Sequence, residues 1–254
     1  MTRRGYLLAG TVALLCGLII YAPAATLYHW MAPKNGPSGI EYYGIQGTLS
    51  HGRVAAINVS GRTALNDVQW SFKPLWLLLA QRVFKISGGG EQTVIDGTVR
   101  LAPTGSTTLS DVHATMSVKN LLAAAGLAYL PFDGQMALDI QSLKFKANQI
   151  KSADAVAQVQ GLAWTLAQSP LNFGDFEAKA STEDDSVTVT VQSTTGPLEA
   201  SGDIKLAPDQ SYQIALQFRP KAQADAMIRN FITSMGPPDA QGWSHYRSQG
   251  RLSQ

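Results

Sequence analysis

The sequence predicts a mainly β protein: an extended, curved antiparallel sheet built from two β-rich repeats, each with one helix, preceded by a single transmembrane helix. Three observations carry this. Six separate segments alternate apolar and polar residues with period two, the signature of a strand with one face on a core. Only 15% of the 254 residues are charged, against about 25% in an average soluble domain, while 23 are Gly and 45% are apolar. That mixture fits short strands and tight turns better than a helical bundle. Finally, residues 6–28 run for 23 positions without a charge.

The elements follow in chain order. Residues 1–5 hold Arg3 and Arg4 and form the cytoplasmic N-terminus by the positive-inside rule. Residues 6–28 are long enough to span a bilayer as helix, for which about 20 apolar residues suffice. Ala22-Pro23-Ala24 offers small residues for cleavage of a leader, but the stretch exceeds a typical leader core, so an uncleaved anchor is expected. Cys16 is the only cysteine and lies in this stretch, which excludes an intrachain disulfide. Residues 29–39 form a linker, ending in the Pro/Gly/Ser-rich run PKNGPSG at 33–39.

A periplasmic β domain is expected over 40–254. Its alternating segments hold Val68, Trp70 and Phe72; Val112, Ala114, Met116 and Val118; and Met136, Leu138 and Ile140. They continue with Leu162, Trp164 and Leu166; Val187, Val189 and Val191; and Tyr212, Ile214, Leu216 and Phe218. One-sided alternation of this kind marks antiparallel sheet. Residues 118–130 read as a helix that stops before Pro131. Residues 220–235 read as a second, with Pro220 in its first turn. Its apolar stripe is Ala224, Met227, Ile228, Phe231, Ile232 and Met235, and Gly236-Pro237-Pro238 ends it. Its polar positions Gln223, Arg229 and Asn230 offer a partner surface.

The pattern W-x-apolar, Pro-Leu, then G-x-[VI]-[RK]-L-A-P occurs twice. It starts at Trp70 and reaches Gly97 to Pro103, then starts at Trp164 and reaches Gly202 to Pro208. A duplicated unit accounts for this, with halves 40–130 and 131–235 and a C-terminal segment 236–254, whose residues 242–254 are expected to add a final strand. Trp70 and Trp164 are then expected in equivalent buried places.

The exported part is electrically balanced. Residues 34–254 hold 18 basic and 18 acidic side chains, so no surplus is present to neutralise phosphates, and nucleic acid is not an expected partner. The sequence nominates no catalytic, cofactor-binding or metal-ligating residue. His29, His51, His113 and His245 lack neighbours at metal-ligand spacing. Gly88-Gly89-Gly90 lacks the Lys and helix start of a phosphate loop and reads as a hairpin or a disordered loop. Glu183-Asp184-Asp185 sits between two strands and reads as a solvated turn.

Together, the basic start, the anchor 6–28, Gly47-Thr48-Leu49, Trp70 to Leu79, Gly97 to Pro103, Gly161 to Trp164, Pro170 to Gly174 and Gly202 to Pro208 resemble the protein N family of type II secretion systems. The resemblance implies a non-enzymatic inner-membrane protein with a periplasmic domain and no cofactor. It also implies partners among the inner-membrane platform proteins C, L and M and the outer-membrane secretin. The residues alone leave a second class open, a periplasmic groove that binds lipid or another hydrophobic ligand on one apolar sheet face.

Overall fold

The computed structural model describes residues 23–25, 40–48, 50–59, 62–72, 82–90, 93–124, 127, 129–147, 149–166, 169–234 and 236–251. Six strands come first: β1 (Ile40–Gly47), β2 (His51–Val59), β3 (Arg62–Phe72), β4 (Arg82–Gly89), β5 (Val94–Leu101) and β6 (Ser106–Ser117). Helix α1 (Val118–Ala124) follows. Six more strands come next: β7 (Phe132–Lys146), β8 (Gln149–Trp164), β9 (Leu171–Glu183), β10 (Ser186–Thr195), β11 (Leu198–Leu206) and β12 (Ser211–Pro220). Helix α2 (Ala226–Ser234) and strand β13 (Ser244–Arg251) complete the order. All strands join one antiparallel sheet in the order β1 to β13, each hydrogen-bonded to its sequence neighbours. The sheet is open, because β1 pairs only with β2 and β13 only with β12 among the described residues.

Of the span 6–28, only Pro23–Ala25 is described. Pro23 bridges to Thr48 at the end of β1, and Ala24 is buried. The rest of the anchor, residues 1–5 and the linker 29–39 lie outside the described residues. No helix among the described residues is long and apolar enough to cross a membrane.

Period-two alternation becomes literal in the register. One row of facing residues crosses every strand. It runs Ile45, Val54, Val68, Gly88, Ile95 and Ala114 over β1 to β6. It continues through Leu138, Ala157, Ala178, Val191, Gly202 and Leu216 over β7 to β12, and ends at Tyr246 on β13. With strands ~4.8 Å apart, the row is about 58 Å long. The next residue along each strand faces the other way and is mostly polar: Gln69, His113, Asp139, Gln158, Glu177, Gln192, Asp203. A one-residue slip would invert this pattern, so the apolar face fixes the register.

The helices are shorter than the sequence suggests. Val118, which closes an alternating segment and also opens a helical one in the sequence, belongs to α1. The Ser117 hydroxyl accepts a bond from the Asn120 amide at 3.1 Å and caps the helix there. α1 spans Val118–Ala124 and does not reach 130, since Leu127, Tyr129 and Leu130 are not helical. Pro220 does not start the second helix. It ends β12, facing Leu198, where its missing amide hydrogen costs nothing at the end of the ladder. The start is set by Asp225, whose carboxylate accepts from the Ile228 amide at 2.9 Å. Ala224, Ile228 and Ile232 are buried as the stripe requires, but Met227 is 44% exposed and faces solvent.

Leu166 is a further correction. It lies past the end of β8, 72% exposed, because the strand stops at Trp164 and Thr165 bonds back to Pro131. The acidic run turns out as expected. Glu183 ends β9, and Asp184 and Asp185 carry positive φ of 48° and 60° in a two-residue hairpin. Gly88 and Gly89 lie in β4 at the β4–β5 hairpin. The final segment adds β13 as read.

Among the described residues, α1 and α2 each follow a sixth strand, and the two L-A-P corners are built alike. The Ala102 amide bonds Ser106 O at 2.9 Å and the Gly105 amide bonds Ala102 O at 3.1 Å. The Ala207 amide bonds Ser211 O at 2.9 Å and the Gln210 amide bonds Ala207 O at 3.0 Å. The two tryptophans differ. Trp70 packs over Gly52, where a Cβ would come within 2.7 Å of its ring. Trp164 meets Phe132 edge-on at 5.0 Å and Phe231 of α2 at 5.6 Å. Both are half-buried rather than buried as expected, and the partners that pack on them differ.

Candidate functional site

The face that carries the apolar row is deepest under α2. There Leu171, Phe173, Leu198, Ala224, Ile228 and Ile232 form a buried cluster, with Phe132, Trp164 and Phe231 packed on it. Phe173 lies 6.5 Å from Phe132 and 5.3 Å from Phe231, in the range of tilted aromatic pairs. Phe173 and Phe176 share this face although they are three residues apart. β9 shifts register against β8 and β10 around Gly174, which absorbs the extra residue. Beside the cluster is a cavity of about 350 Å³. Ala157, Ala178, Val191 and Leu216 of the apolar row line it, and Phe176, Phe218 and Phe231 wall it. Glu177 and Ser201 border it too, but their polar atoms are engaged elsewhere. The Glu177 carboxylate bonds Lys179 at 2.8 Å and Gln192 at 3.0 Å, and Ser201 Oγ bonds Gln217 at 2.9 Å. Such a wall offers water no hydrogen-bond partners, so an apolar guest that covers it gains by displacing water.

Over β6 to β11 the opposite face carries cross-strand polar pairs. Gln158, Glu177 and Gln192 line up on β8, β9 and β10. The Lys179 ammonium, with Gln192 and Gln158, holds the Glu177 carboxyl below the usual carboxylate range. Asp175 accepts from Thr195 Oγ1 at 2.5 Å and from the Gly161 amide at 2.8 Å, which lowers its pKa too. His113 Nδ1 stands 3.3 Å from Asp139 across β6 and β7, both well exposed. Together with Asp96 they line a shallow open hollow. His245 bonds Asp239 at 2.8 Å. No three His, Cys, Asp or Glu side chains converge to hold a metal among the described residues. The sequence nominated no site residue, and nothing in it announced the cavity, whose walls come from six strands and a helix. The spacing of Phe173, Phe176 and Ala178 across Gly174 was the available signal.

The last strand is tied by two aspartates. Asp239 accepts from His245, from the Trp243 amide at 2.9 Å and from the Gln241 amide at 2.9 Å. Asp209 accepts from the Ser211 hydroxyl at 2.6 Å, from its amide at 3.0 Å, and from Arg251 at 2.7 Å. His245 chiefly lowers the first carboxyl and Ser211 chiefly the second, well below its usual range. A lowered folded pKa means that the contribution is present above the ordinary value, about 4, and is lost as pH falls through the folded value. The expected result is early loosening of β13 in acid. Hydrogen exchange, corrected for intrinsic rates, will show β13 amides losing protection below about pH 4 while β7 keeps its own. Equal protection of both strands down to acid unfolding would contradict it.

Comparison with known proteins gives two findings. The family model described as Type II secretion system (T2SS), protein N matches residues 38–247. The chain is also similar to a protein named type II secretion system protein N from Vibrio cholerae serotype O1 (strain ATCC 39315 / El Tor Inaba N16961). The two are 27% identical over 260 residues, which cover 98% of each chain. No solved structure matches.

Proposed function

We propose that this chain, which belongs to the type II secretion system (T2SS) protein N family, is a non-enzymatic component of that system, anchored in the inner membrane by residues 6–28 with its sheet in the periplasm. Its work is contact: it bridges platform proteins C, L or M and the secretin. The family match over residues 38–247 is the observation that supports this most. A tether raises the effective concentration of a domain toward partners in the same membrane. Two features of the sheet suit protein contact. β1 and β13 offer edges for strand addition. On α2, Met227 stands exposed between Gln223 and Asn230, an apolar anchor within a polar rim. The alike L-A-P corners and the two six-strand-plus-helix halves support a duplication behind this sheet.

Photo-reactive residues placed in cells test the reading. Gln223 and Asn230 are the better positions, since Arg229 is engaged with the carbonyls of Ala222 and Ala224 at 3.0 and 3.1 Å. Tyr43 on β1 and Gln249 on β13, both exposed, probe the edges. Capture of C, L, M or the secretin is expected from at least one site. If all four positions capture no secretion component, the contact role is wrong.

A further inference from the structure

We propose that the apolar face is a track for the acyl chains of membrane phospholipid, with its deepest seat in the cavity beneath α2. This goes beyond the contact role and stands on separate observations. The first is continuity. An apolar or glycine residue occupies the same row on twelve consecutive strands, from Ile45 on β1 to Leu216 on β12. Along the row, the first residue with a polar group is Tyr246 on β13, flanked on the same face by Ser244 and Ser248.

The second observation is the chemistry of the seat. Its walls are hydrocarbon, and the sheet's own ladder uses the backbone groups behind them. A peptide lying there would bury amide groups without partners, at a cost that a hydrocarbon chain does not meet. The volume, about 350 Å³, is too small for a helix about 10 Å across but within the range of small-ligand sites. The third is position. The row starts on β1, which follows the uncharged stretch 6–28 after the linker 29–39, so one end of the track lies next in sequence to the segment expected in the bilayer.

The test uses the full chain in vesicles of phosphatidylethanolamine and phosphatidylglycerol that carry a trace of phospholipid with a diazirine in its acyl chain. After irradiation, peptide mass spectrometry maps the adducts. Adducts on β8 to β12 at apolar-row positions and on Phe231 are expected. Ala178→Phe fills the seat and should cut these adducts about tenfold, equivalent to losing about two methylenes of burial. Ser181→Phe, exposed on the other face of the same strand, should leave them unchanged. Adducts confined to residues 6–28, or spread equally over both faces, would overturn the proposal. So would a folded Ala178→Phe with undiminished adducts; if that variant does not fold, the adduct map of the unaltered chain decides alone. Capture of a secretion component from Gln223 or Asn230 is independent of all these outcomes, so the two readings can fail separately.

Discussion

Phe173→Ala is expected to destabilise the sheet by about 3–5 kcal/mol, the usual cost of removing a buried aromatic ring. Phe173 is 3% exposed and sits where β9, β7 and α2 meet, with Phe132 and Phe231 against its ring. Truncation joins the vacated space to the existing cavity, so the neighbours cannot collapse onto it and the cavity contribution is large. α2 should loosen first, since Ile228 and Ile232 share the cluster. Denaturant unfolding measures the loss. Leu166→Ala, at an exposed position, should change stability by no more than about 0.5 kcal/mol. A Phe173→Ala loss as small as that of Leu166→Ala would show that the cluster does not hold the helix.

Gly174→Val should be about as damaging, by a different route. Gly174 has φ of +105° and Gly196 opposite it has +106°, a region that side chains avoid. The two backbones nearly touch. A Cβ on Gly174 would run into Thr195 O and come within 2.7 Å of the Gly196 Cα, and Thr195 is held by pairing with Asp175 in the β9–β10 ladder. Strain of about 1–3 kcal/mol adds to an overpacking cost of similar size. The bend that turns both Phe173 and Phe176 onto the apolar face would open. Thermal unfolding of Gly174→Val against Gly161→Val separates conformation from collision. Gly161 also has positive φ, 61°, but a Cβ there meets nothing within 4 Å. Equal losses in the two variants would mean that close approach contributes nothing.

Neither position stands out in the sequence, although much around them does. Alternation at Val187, Val189 and Val191, or at Tyr212, Ile214, Leu216 and Phe218, marked both strand and face, because period two has no other compact reading. The L-A-P corners and the Glu183-Asp184-Asp185 turn were legible for the same local reason. Helix ends were not. Pro220 suits a first turn by propensity, but pairing with Leu198 overrode it, and the Asp225 cap lay unread five residues on. Trp70 and Trp164 looked alike because their flanks repeat. Their surroundings come from Gly52 in one case and from Phe132 and Phe231 in the other, and no local pattern states that. The cavity was hidden for the same reason. Its walls are distant in sequence, and the bend at Gly174 that assembles them reads as a glycine within a strand.

Single cysteines along β10 test together whether the sheet is exported and whether it has one apolar and one polar face. Cys16 is the only native cysteine, so a variant without it gives a clean background. A membrane-impermeant maleimide is applied to intact spheroplasts that carry the full chain with Cys at one position from 187 to 192. Positions 190 and 192, exposed on the polar face, should react readily. Positions 187, 189 and 191, on the apolar face, should react slowly, with 187 slowest because Val187 is buried. Uniform reaction along the strand would contradict the one-sided sheet, and no reaction until the spheroplasts are lysed would contradict its place outside the cytoplasm.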